Sequence, residues 1–234
     1  MASSTRYVML LTALPYHGPL FGAKQTPLSR LRLDQYLRML DPVDAARLRA
    51  ARGLIDFSEQ VRGRADADTA TNARRVLAAI DHPFVRDLVT WRLEMHTLIA
   101  AMRRRQAGQP APEDSRWGIG RWVERIRRHW GDPTFGLEQA VPWLDEGHRL
   151  LERGAALELE RLLMARAWDH LERLSDGHYF DFEAVVIYVA RWELIAHWTS
   201  FDAEAAGARF DALLADATSG LAAALDAELQ RLAA

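Results

Sequence analysis

A helix-start signal followed by a long apolar run constrains the fold of this 234-residue chain more than any other feature. After Gly177 the sequence reads His-Tyr-Phe-Asp-Phe-Glu, and the residues from 184 to Ala190 are then apolar without interruption. Asp181 is placed to accept a hydrogen bond from the amide of residue 183 or 184, and Glu183 would lie in the first turn, where the helix dipole favours an anion. The pattern predicts a mostly buried helix that continues to Trp198.

Similar start signals recur along the chain and predict an almost entirely helical protein. Thr26-Pro27, Asp41-Pro42 and His82-Pro83 each place a proline at the first position of a helix. The helix after His82 has apolar residues at spacings of three and four, as a core-facing helix requires. The members of this stripe are Phe84, Leu88, Trp91, Met95, Leu98 and Met102. Only Tyr7 to Leu11 is predicted to be a short strand or an extended arm.

Helix boundaries follow from these signals and from the glycines and prolines between them. We predict helices at about 27–40, 42–62, 68–80, 83–105, 117–130, 141–153, 155–174, 181–198 and 202–234. Residues 106–115 are rich in Gly, Pro and small polar residues, which is typical of a linker. The sequence therefore predicts an all-α fold, either a multi-helix bundle or two helical lobes. The predicted lobes are residues 1–107 and 117–234, and the linker is residues 108–116.

The net charge of −2 conceals a strong asymmetry along the chain. Residues 1–130 carry 22 basic and 13 acidic side chains, for a net charge of +9, whereas residues 131–234 carry 8 basic and 19 acidic side chains, for −11. This asymmetry indicates either a charged interaction surface or two halves that neutralise each other where they pack. Nucleic acid is not an expected partner, because the basic clusters lack a recognition motif and the acidic half would repel phosphate.

A search for catalytic and cofactor motifs is mostly negative. The chain has no glycine-rich phosphate loop and no G-x-S-x-G motif, and the absence of cysteine excludes thiolate chemistry. Two spacings are compatible with metal ligands, Asp145-x-x-His148 and Glu193-x-x-x-His197. A di-iron bundle instead requires Glu-x-x-His motifs, which the sequence lacks. We therefore expect a protein that is not an enzyme and that has no catalytic residues, no cofactor and no metal site.

Tryptophan and arginine supply the candidate interface residues. Tryptophan is enriched at protein interfaces because it buries a large area and keeps a polar group. Of the eight tryptophans, Trp117 beside the linker and Trp198 near a helix end are predicted to be partly exposed. The basic cluster Arg103, Arg104 and Arg105 completes the candidate set.

No targeting or membrane segment is visible in the sequence. The apolar run from Tyr7 to Leu11 is too short for a secretory signal. The run from Ala184 to Ala190 is far short of the roughly 18 residues that suggest a membrane span. We expect a cytoplasmic protein with no direct membrane insertion, which a membrane complex can still hold from outside the bilayer.

Two stretches of the chain resemble one small bacterial family that accompanies V-type ATPases, in the place where the adaptor known as C or d would be expected. The stretch from Trp168 to Ala184 is similar to the C-terminal region of that family. The opening, from Tyr7 to Pro15 and then Pro27-Leu28-Ser29, is similar to its beginning. The matched residues are packing motifs and contain no catalytic signature.

The resemblance implies a non-catalytic adaptor that is peripheral to the membrane, sits on the membrane ring and receives the end of the central stalk. Such a protein transmits torque, so it needs a stiff body with two distinct interfaces. The implied partners are the central-stalk and membrane-ring subunits. Two alternatives remain open, a free-standing helical scaffold that binds another soluble protein and a helical-bundle enzyme with a buried metal or small-molecule pocket. The chain is also shorter than a typical adaptor of this kind, which has three lobes.

Overall fold

The computed structural model describes residues 5–55 and 67–200 of the chain. The structure is 66% helical, and no strand occurs in the described residues, so the predicted all-α fold is confirmed. The helices are α1 (Val8–Ala13), α2 (Arg30–Leu37), α3 (Pro42–Ile55), α4 (Ala67–Ala79), α5 (Pro83–Gln106), α6 (Val123–Arg128), α7 (Trp143–Glu152), α8 (Ala156–Leu174) and α9 (182–200). Two short 3-10 turns lie at Leu20–Gly22 and Ser115–Trp117.

Two of the predicted helix caps are present with good hydrogen-bond geometry. The Asp181 carboxylate accepts a hydrogen bond of 2.9 Å from the amide of Ala184, which confirms it as the N-cap of α9. The Asp41 carboxylate accepts bonds of 3.1 and 2.9 Å from the amides of Val43 and Asp44 and so starts α3. These side chains satisfy amides that the first turn of a helix leaves without a backbone partner.

The predicted strand from Tyr7 to Leu11 is wrong, because these residues enter helix α1. The Tyr7 carbonyl accepts a 2.9 Å hydrogen bond from the amide of Leu11, which is helical spacing. The Tyr7 amide instead donates to the carbonyl of Phe180 at 2.7 Å. Tyr7 and Leu10 are buried three residues apart on one side of the segment. Tertiary packing on that side therefore selects the helix for this short apolar run.

The predicted start of the second helix at Thr26-Pro27 is also wrong. Helix α2 begins at Arg30, and the Ser29 hydroxyl accepts a 3.4 Å hydrogen bond from the amide of Arg32. Proline at position 27 is therefore not the first helical residue. Ser29 provides a side-chain cap nearer to the helix, and this is a stronger start signal than the proline.

The predicted helix from 117 to 130 is reduced to α6, which begins at Val123. Gly120 precedes it with a φ of +95°, a conformation that only glycine adopts readily. A Cβ atom at this position would overlap the side chain of Glu94 on α5. The Glu94 carboxylate accepts a 2.9 Å hydrogen bond from the amide of Arg121. The chain thus turns closely over α5 here and cannot be helical.

Helix α5 is the central element, because it contributes to all three hydrophobic clusters of the described residues. Its first half belongs to one cluster with residues of α1, α2, α3, α4, α8 and α9, its second half belongs to another with residues 117–144, and Met95 belongs to a third with residues of α7 and α8. Four members of the predicted stripe are buried, and Phe84 and Trp91 pack against the core while partly exposed. The clusters join segments from both sides of residues 108–116, and the division into lobes stays a prediction.

Two helix predictions extend beyond what the structure describes. The continuation of the second predicted helix towards Arg62 and the final helix from Asp202 lie outside the described residues. Within residues 5–55 and 67–200, no helix combines the length and apolar character that crossing a bilayer requires.

Candidate functional site

The N-terminal residues contact α9 and the loop before it in the structure. Three hydrogen bonds join the N-terminal residues to α9 and the loop before it. They run from the Tyr7 amide to the Phe180 carbonyl at 2.7 Å, from the Tyr188 hydroxyl to the Pro15 carbonyl at 2.9 Å, and from the Trp192 indole to the Leu28 carbonyl at 2.9 Å. We call these six residues the terminal junction. The bonded partners are 164 or more positions apart in sequence, so the junction connects the N-terminal part of the described chain to its last helix.

A buried carboxylate anchors the Tyr7 side of this junction. Asp44 is 3% exposed and accepts a 2.6 Å hydrogen bond from the Tyr7 hydroxyl. Arg47 donates to the other Asp44 oxygen at 3.0 Å, and Arg6 lies 3.6 Å away. Burial, and then the bond to Asp44, raises the pKa of Tyr7 well above its usual range. The hydroxyl therefore remains a hydrogen-bond donor at any physiological pH.

A second buried carboxylate, Glu193 on α9, binds arginines from two N-terminal helices. Glu193 is 4% exposed. One of its oxygens is 3.1 Å from Arg30 of α2, and the other accepts a 2.7 Å hydrogen bond from Arg52 of α3. Arg52 also donates to Asp34 at 2.8 Å. An acidic residue of the C-terminal half is thus neutralised by the basic half, as one of the two interpretations of the charge asymmetry requires.

Two histidines packed against aromatic rings are held neutral near this region. The His17 ring lies 4.0 Å from that of Tyr188, and burial, with Arg191 nearby, lowers the pKa of His17 to about 4. His170 stacks on Trp91 with ring centroids 3.8 Å apart, and burial lowers its pKa to about 4 as well. Both imidazoles therefore pack as uncharged aromatic rings at neutral pH.

Several exposed apolar side chains lie close in sequence to Tyr7 and to the residues that bond to it. Seven large hydrophobic side chains are exposed among the described residues, and five of them adjoin Tyr7 or the residues that bond to it. We call these five the Tyr7 patch. They are Val8, Met9, Met39, Val43 and Tyr179. Val8 and Met9 follow Tyr7 in the sequence, and Tyr179 precedes Phe180, whose carbonyl bonds to the Tyr7 amide. Met39 and Val43 lie two positions on either side of Asp41. The Asp41 carboxylate is 3.3 Å from the Tyr7 hydroxyl. Exposed apolar residues that gather in one region mark protein contact surfaces.

The predicted basic interface lies at the C-terminal end of α5. Arg103, Arg104 and Arg105 are all in the last turn and are partly buried. One guanidinium nitrogen of Arg105 is 3.2 Å from His148 on α7. Cations are favoured at this end of a helix by the dipole, which gives the cluster a local structural role. Its role as an interface stays a prediction.

The predicted exposure of the two tryptophans is wrong. Trp117 is 8% exposed and Trp198 is 6% exposed. Trp117 is the last residue of the second 3-10 turn and packs in the second hydrophobic cluster with residues of α5 and α6. Trp198 contacts Phe21 edge to face at 5.1 Å, and the guanidinium of Arg161 lies 5.2 Å from its ring. Neither side chain is presented to a partner, since their large apolar area completes the core instead.

Neither of the two sequence spacings proposed for metal ligands forms a cluster. Asp145 pairs with an arginine one turn later, and His148 faces an arginine and a glutamate. Glu193 is held by arginines, whereas His197 is 2.8 Å from Glu160 on α8. Each of these polar groups already has a protein partner, which the linear spacing does not reveal.

A different group of potential metal ligands is brought together by the fold. His82, before α5, faces the start of α9, where His178, Asp181 and Glu183 lie. We call these four residues the His82 cluster. One potential ligand atom from each of the three residues at the start of α9 lies within 4.8 Å of the others. The short spacing H-x-x-D-x-E is visible in the sequence, but His82 is about a hundred positions away, so its approach was not predictable.

Comparisons with protein-family models, with curated proteins and with solved structures find no match for this chain.

Proposed function

We propose that this chain is a non-catalytic component of a V-type ATPase that connects the central stalk to the membrane ring, in the place of the adaptor known as C or d. The proposal rests on the resemblance of its two ends to the family that accompanies such ATPases. In this role, the protein would be held at the cytoplasmic face of the membrane by its partners. It would transmit torque and carry out no chemistry itself.

The terminal junction is the observation that carries this proposal. The resemblance involves two stretches at opposite ends of the sequence, and such stretches need not meet in the fold. Here Tyr7, Pro15 and Leu28 of the first stretch bond to residues of the second stretch and of α9. The similar residues therefore form one packed unit. This is expected if the two ends belong to one inherited structural element.

The buried polar contacts inside this unit favour a stiff structure, which transmission of torque requires. Asp44 and Glu193 are almost fully buried, and each binds arginine side chains that come from other positions in the chain. Buried charge pairs have strict geometric requirements, because moving one partner leaves an uncompensated charge in the interior. Together with close apolar packing, the pairs that Glu193 makes with Arg30 and Arg52 resist sliding of α9 over α2 and α3.

The Tyr7 patch is the surface that we propose for contact with a partner protein of the ATPase. Met9 is 76% exposed and Tyr179 is 71% exposed, although both are large apolar side chains. Leaving such groups in water costs about 25 cal/mol per Å² of apolar area, which a bound partner would recover. The patch adjoins the terminal junction, so a force applied there would pass directly into the packed unit.

The test is co-purification of the full chain with the stalk and ring subunits of the V-type ATPase from the same organism. We expect a stable complex with at least one of these subunits, and we expect its affinity to fall as salt is raised, because exposed charges are screened. A correctly folded protein that binds neither of them would contradict the proposal. The free-standing helical scaffold would then be the better hypothesis.

Surface substitutions then locate the contact. Met9→Glu and Val43→Glu place charges in the Tyr7 patch and should weaken the complex by about tenfold or more, since an unpaired charge at a buried contact is costly. Leu31→Glu is the matched control, because Leu31 is exposed to 68% but lies outside the patch. Equal affinity for the wild type and both patch variants would exclude the patch as the contact surface.

The basic cluster is tested separately by reversing Arg103, Arg104 and Arg105 to glutamate. A loss of affinity that is larger at low salt would make the cluster part of an interface. An unchanged affinity would show that these arginines only stabilise the end of α5 and contact His148.

A further inference from the structure

The His82 cluster combines two imidazoles and two carboxylates at one place in the fold. His82 and Glu183 are each 18% exposed at the side chain, Asp181 is 14% exposed and His178 is 28% exposed. The cluster connects the loop before α5 with the first turn of α9. Aromatic rings support both histidines, since Phe182 packs on His82 and Phe84 packs on His178, each with ring centroids 5.2 Å apart.

Neither carboxylate of this cluster has an arginine partner among the residues that the structure describes. Elsewhere in the described part of the chain, three of the four buried carboxylates, Asp44, Glu94 and Glu193, each lie within 4 Å of at least one arginine. The fourth, Glu160, pairs with His197 at 2.8 Å. Asp181 and Glu183 have only histidines as possible cationic partners among the described residues. With neutral imidazoles the cluster carries a charge of −2 in a partly desolvated position, where burial favours binding of a cation.

The distances within the cluster suit a bound ion better than direct hydrogen bonds alone. His82 Nε2 and a Glu183 oxygen are 3.7 Å apart, which is too far for a hydrogen bond. Two nitrogen or oxygen ligands that each lie about 2.1 Å from a tetrahedral metal ion are separated by about 3.4 Å. A shift of a few tenths of an ångström would therefore bring both atoms into coordination distance.

The other two residues form the arrangement that often orients a metal-binding histidine. Asp181 is 2.7 Å from Nδ1 of His178 and is itself fixed by the amide of Ala184. A carboxylate on one imidazole nitrogen sets the ring orientation and leaves the other nitrogen to bind an ion. In the described structure, His178 Nε2 makes no hydrogen bond. The positive end of the α9 dipole opposes a cation here, but two nearby carboxylates outweigh its half charge.

We propose that the His82 cluster binds one divalent transition-metal ion of the zinc class and thereby fastens the start of α9 to the start of α5. Imidazole nitrogens with carboxylate oxygens select zinc, cobalt, iron or nickel over magnesium and calcium, which prefer oxygen ligands alone. The site is structural in this proposal and has no assigned catalysis. It goes beyond the proposed ATPase role and does not depend on it.

The test is calorimetric titration of the chelator-treated full chain with Zn²⁺, together with absorption spectra of the Co²⁺ form. We expect one ion per chain with a Kd of about 10 μM or lower, and visible Co²⁺ bands that indicate nitrogen and oxygen ligands. His82→Gln and Glu183→Gln should each weaken Zn²⁺ binding at least tenfold. Neither substitution removes the Asp181 cap, so both variants should remain folded, as circular dichroism would verify.

His148→Gln is the matched control, because His148 also faces a carboxylate, that of Glu152 at 3.4 Å, but belongs to no group of three potential ligands among the described residues. This variant should bind Zn²⁺ as the wild type does. The proposal is overturned if the wild type shows no saturable binding of Zn²⁺ or Co²⁺. It is equally overturned if His82→Gln and Glu183→Gln both bind Zn²⁺ with unchanged affinity, since the ion would then lie elsewhere.

Discussion

Replacing Glu193 by alanine should destabilise the fold strongly, because this residue fastens α9 to α2 and α3. The substitution removes a carboxylate that is 4% exposed and that accepts a 2.7 Å hydrogen bond from Arg52 and faces Arg30 at 3.1 Å. Arg30 is 54% exposed at the side chain and can be hydrated instead. Arg52 is only 18% exposed, so its guanidinium would be left in the interior with Asp34 as the remaining partner.

The expected loss follows from these exposures. Breaking a buried ion pair by removing one partner typically costs about 3–5 kcal/mol. Because Arg30 can be solvated and Asp34 remains near Arg52, we expect a value at the lower end, about 3 kcal/mol. Glu193→Gln keeps the volume and one accepting oxygen, so it should cost about half as much. A total stability of about 5–15 kcal/mol is usual for a domain, and the alanine variant should therefore remain folded but visibly weakened.

Urea unfolding followed by circular dichroism measures this effect. The midpoint should fall while the dependence on urea concentration stays unchanged, which separates lost stability from a changed denatured state. Asp145→Ala is the control, because Asp145 and its partner Arg149 are both more than half exposed, and it should cost less than about 0.5 kcal/mol. If Glu193→Ala costs no more than this control, the buried network does not hold the helices together.

Three further predictions concern the caps, turns and histidines. Asp181→Ala should cost about 1 kcal/mol in urea unfolding with a chelator present, since the first turn of α9 loses its cap, and an unchanged midpoint would contradict this. By the same assay, Gly120→Ala should lower the free energy of unfolding by several kcal/mol, because the φ of Gly120 is +95° and a Cβ would overlap Glu94. Gly131→Ala is the control and should be nearly neutral, because the space around Gly131 is open. Between pH 6.5 and 4, His17 and His170 bind a proton in the unfolded chain but stay neutral in the folded protein, because burial lowers their pKa to about 4. The free energy of unfolding should therefore fall by about 1–2 kcal/mol for each histidine as pH is lowered through this range. Replacing both by phenylalanine should flatten the pH dependence in thermal unfolding.

Local signals in the sequence predicted the helical class and several helix starts. The structure confirms three predicted helix starts, those at Asp181, Asp41 and Pro83. Each depends only on contacts within a few residues of its own position. The failures occurred where distant residues decide the local structure. Tyr7 to Leu11 forms a helix because one side of the segment is buried in the core, and the chain at Gly120 is turned by its close approach to α5.

The candidate site was less predictable than the fold. The exposure of Trp117 and Trp198 depends on which surfaces happen to cover them, and neither proximity to a linker nor a helix end indicates this. The terminal junction and the His82 cluster both join residues that are about a hundred or more positions apart. Only the spacing from His178 to Glu183 was visible along the chain, and it becomes a possible site only when His82 is added.

The long sequence separation across the terminal junction has a consequence for how the protein is made. During synthesis, α1 and α2 leave the ribosome long before α9, which supplies their packing partners. Until then the apolar surface that contains Leu10, Leu28 and Leu33 lacks the part of its cover that α9 provides, and exposed apolar surface favours aggregation or chaperone binding. Ribosome-bound chains that end before residue 182 should therefore associate with chaperones, and release should follow translation of the α9 sequence.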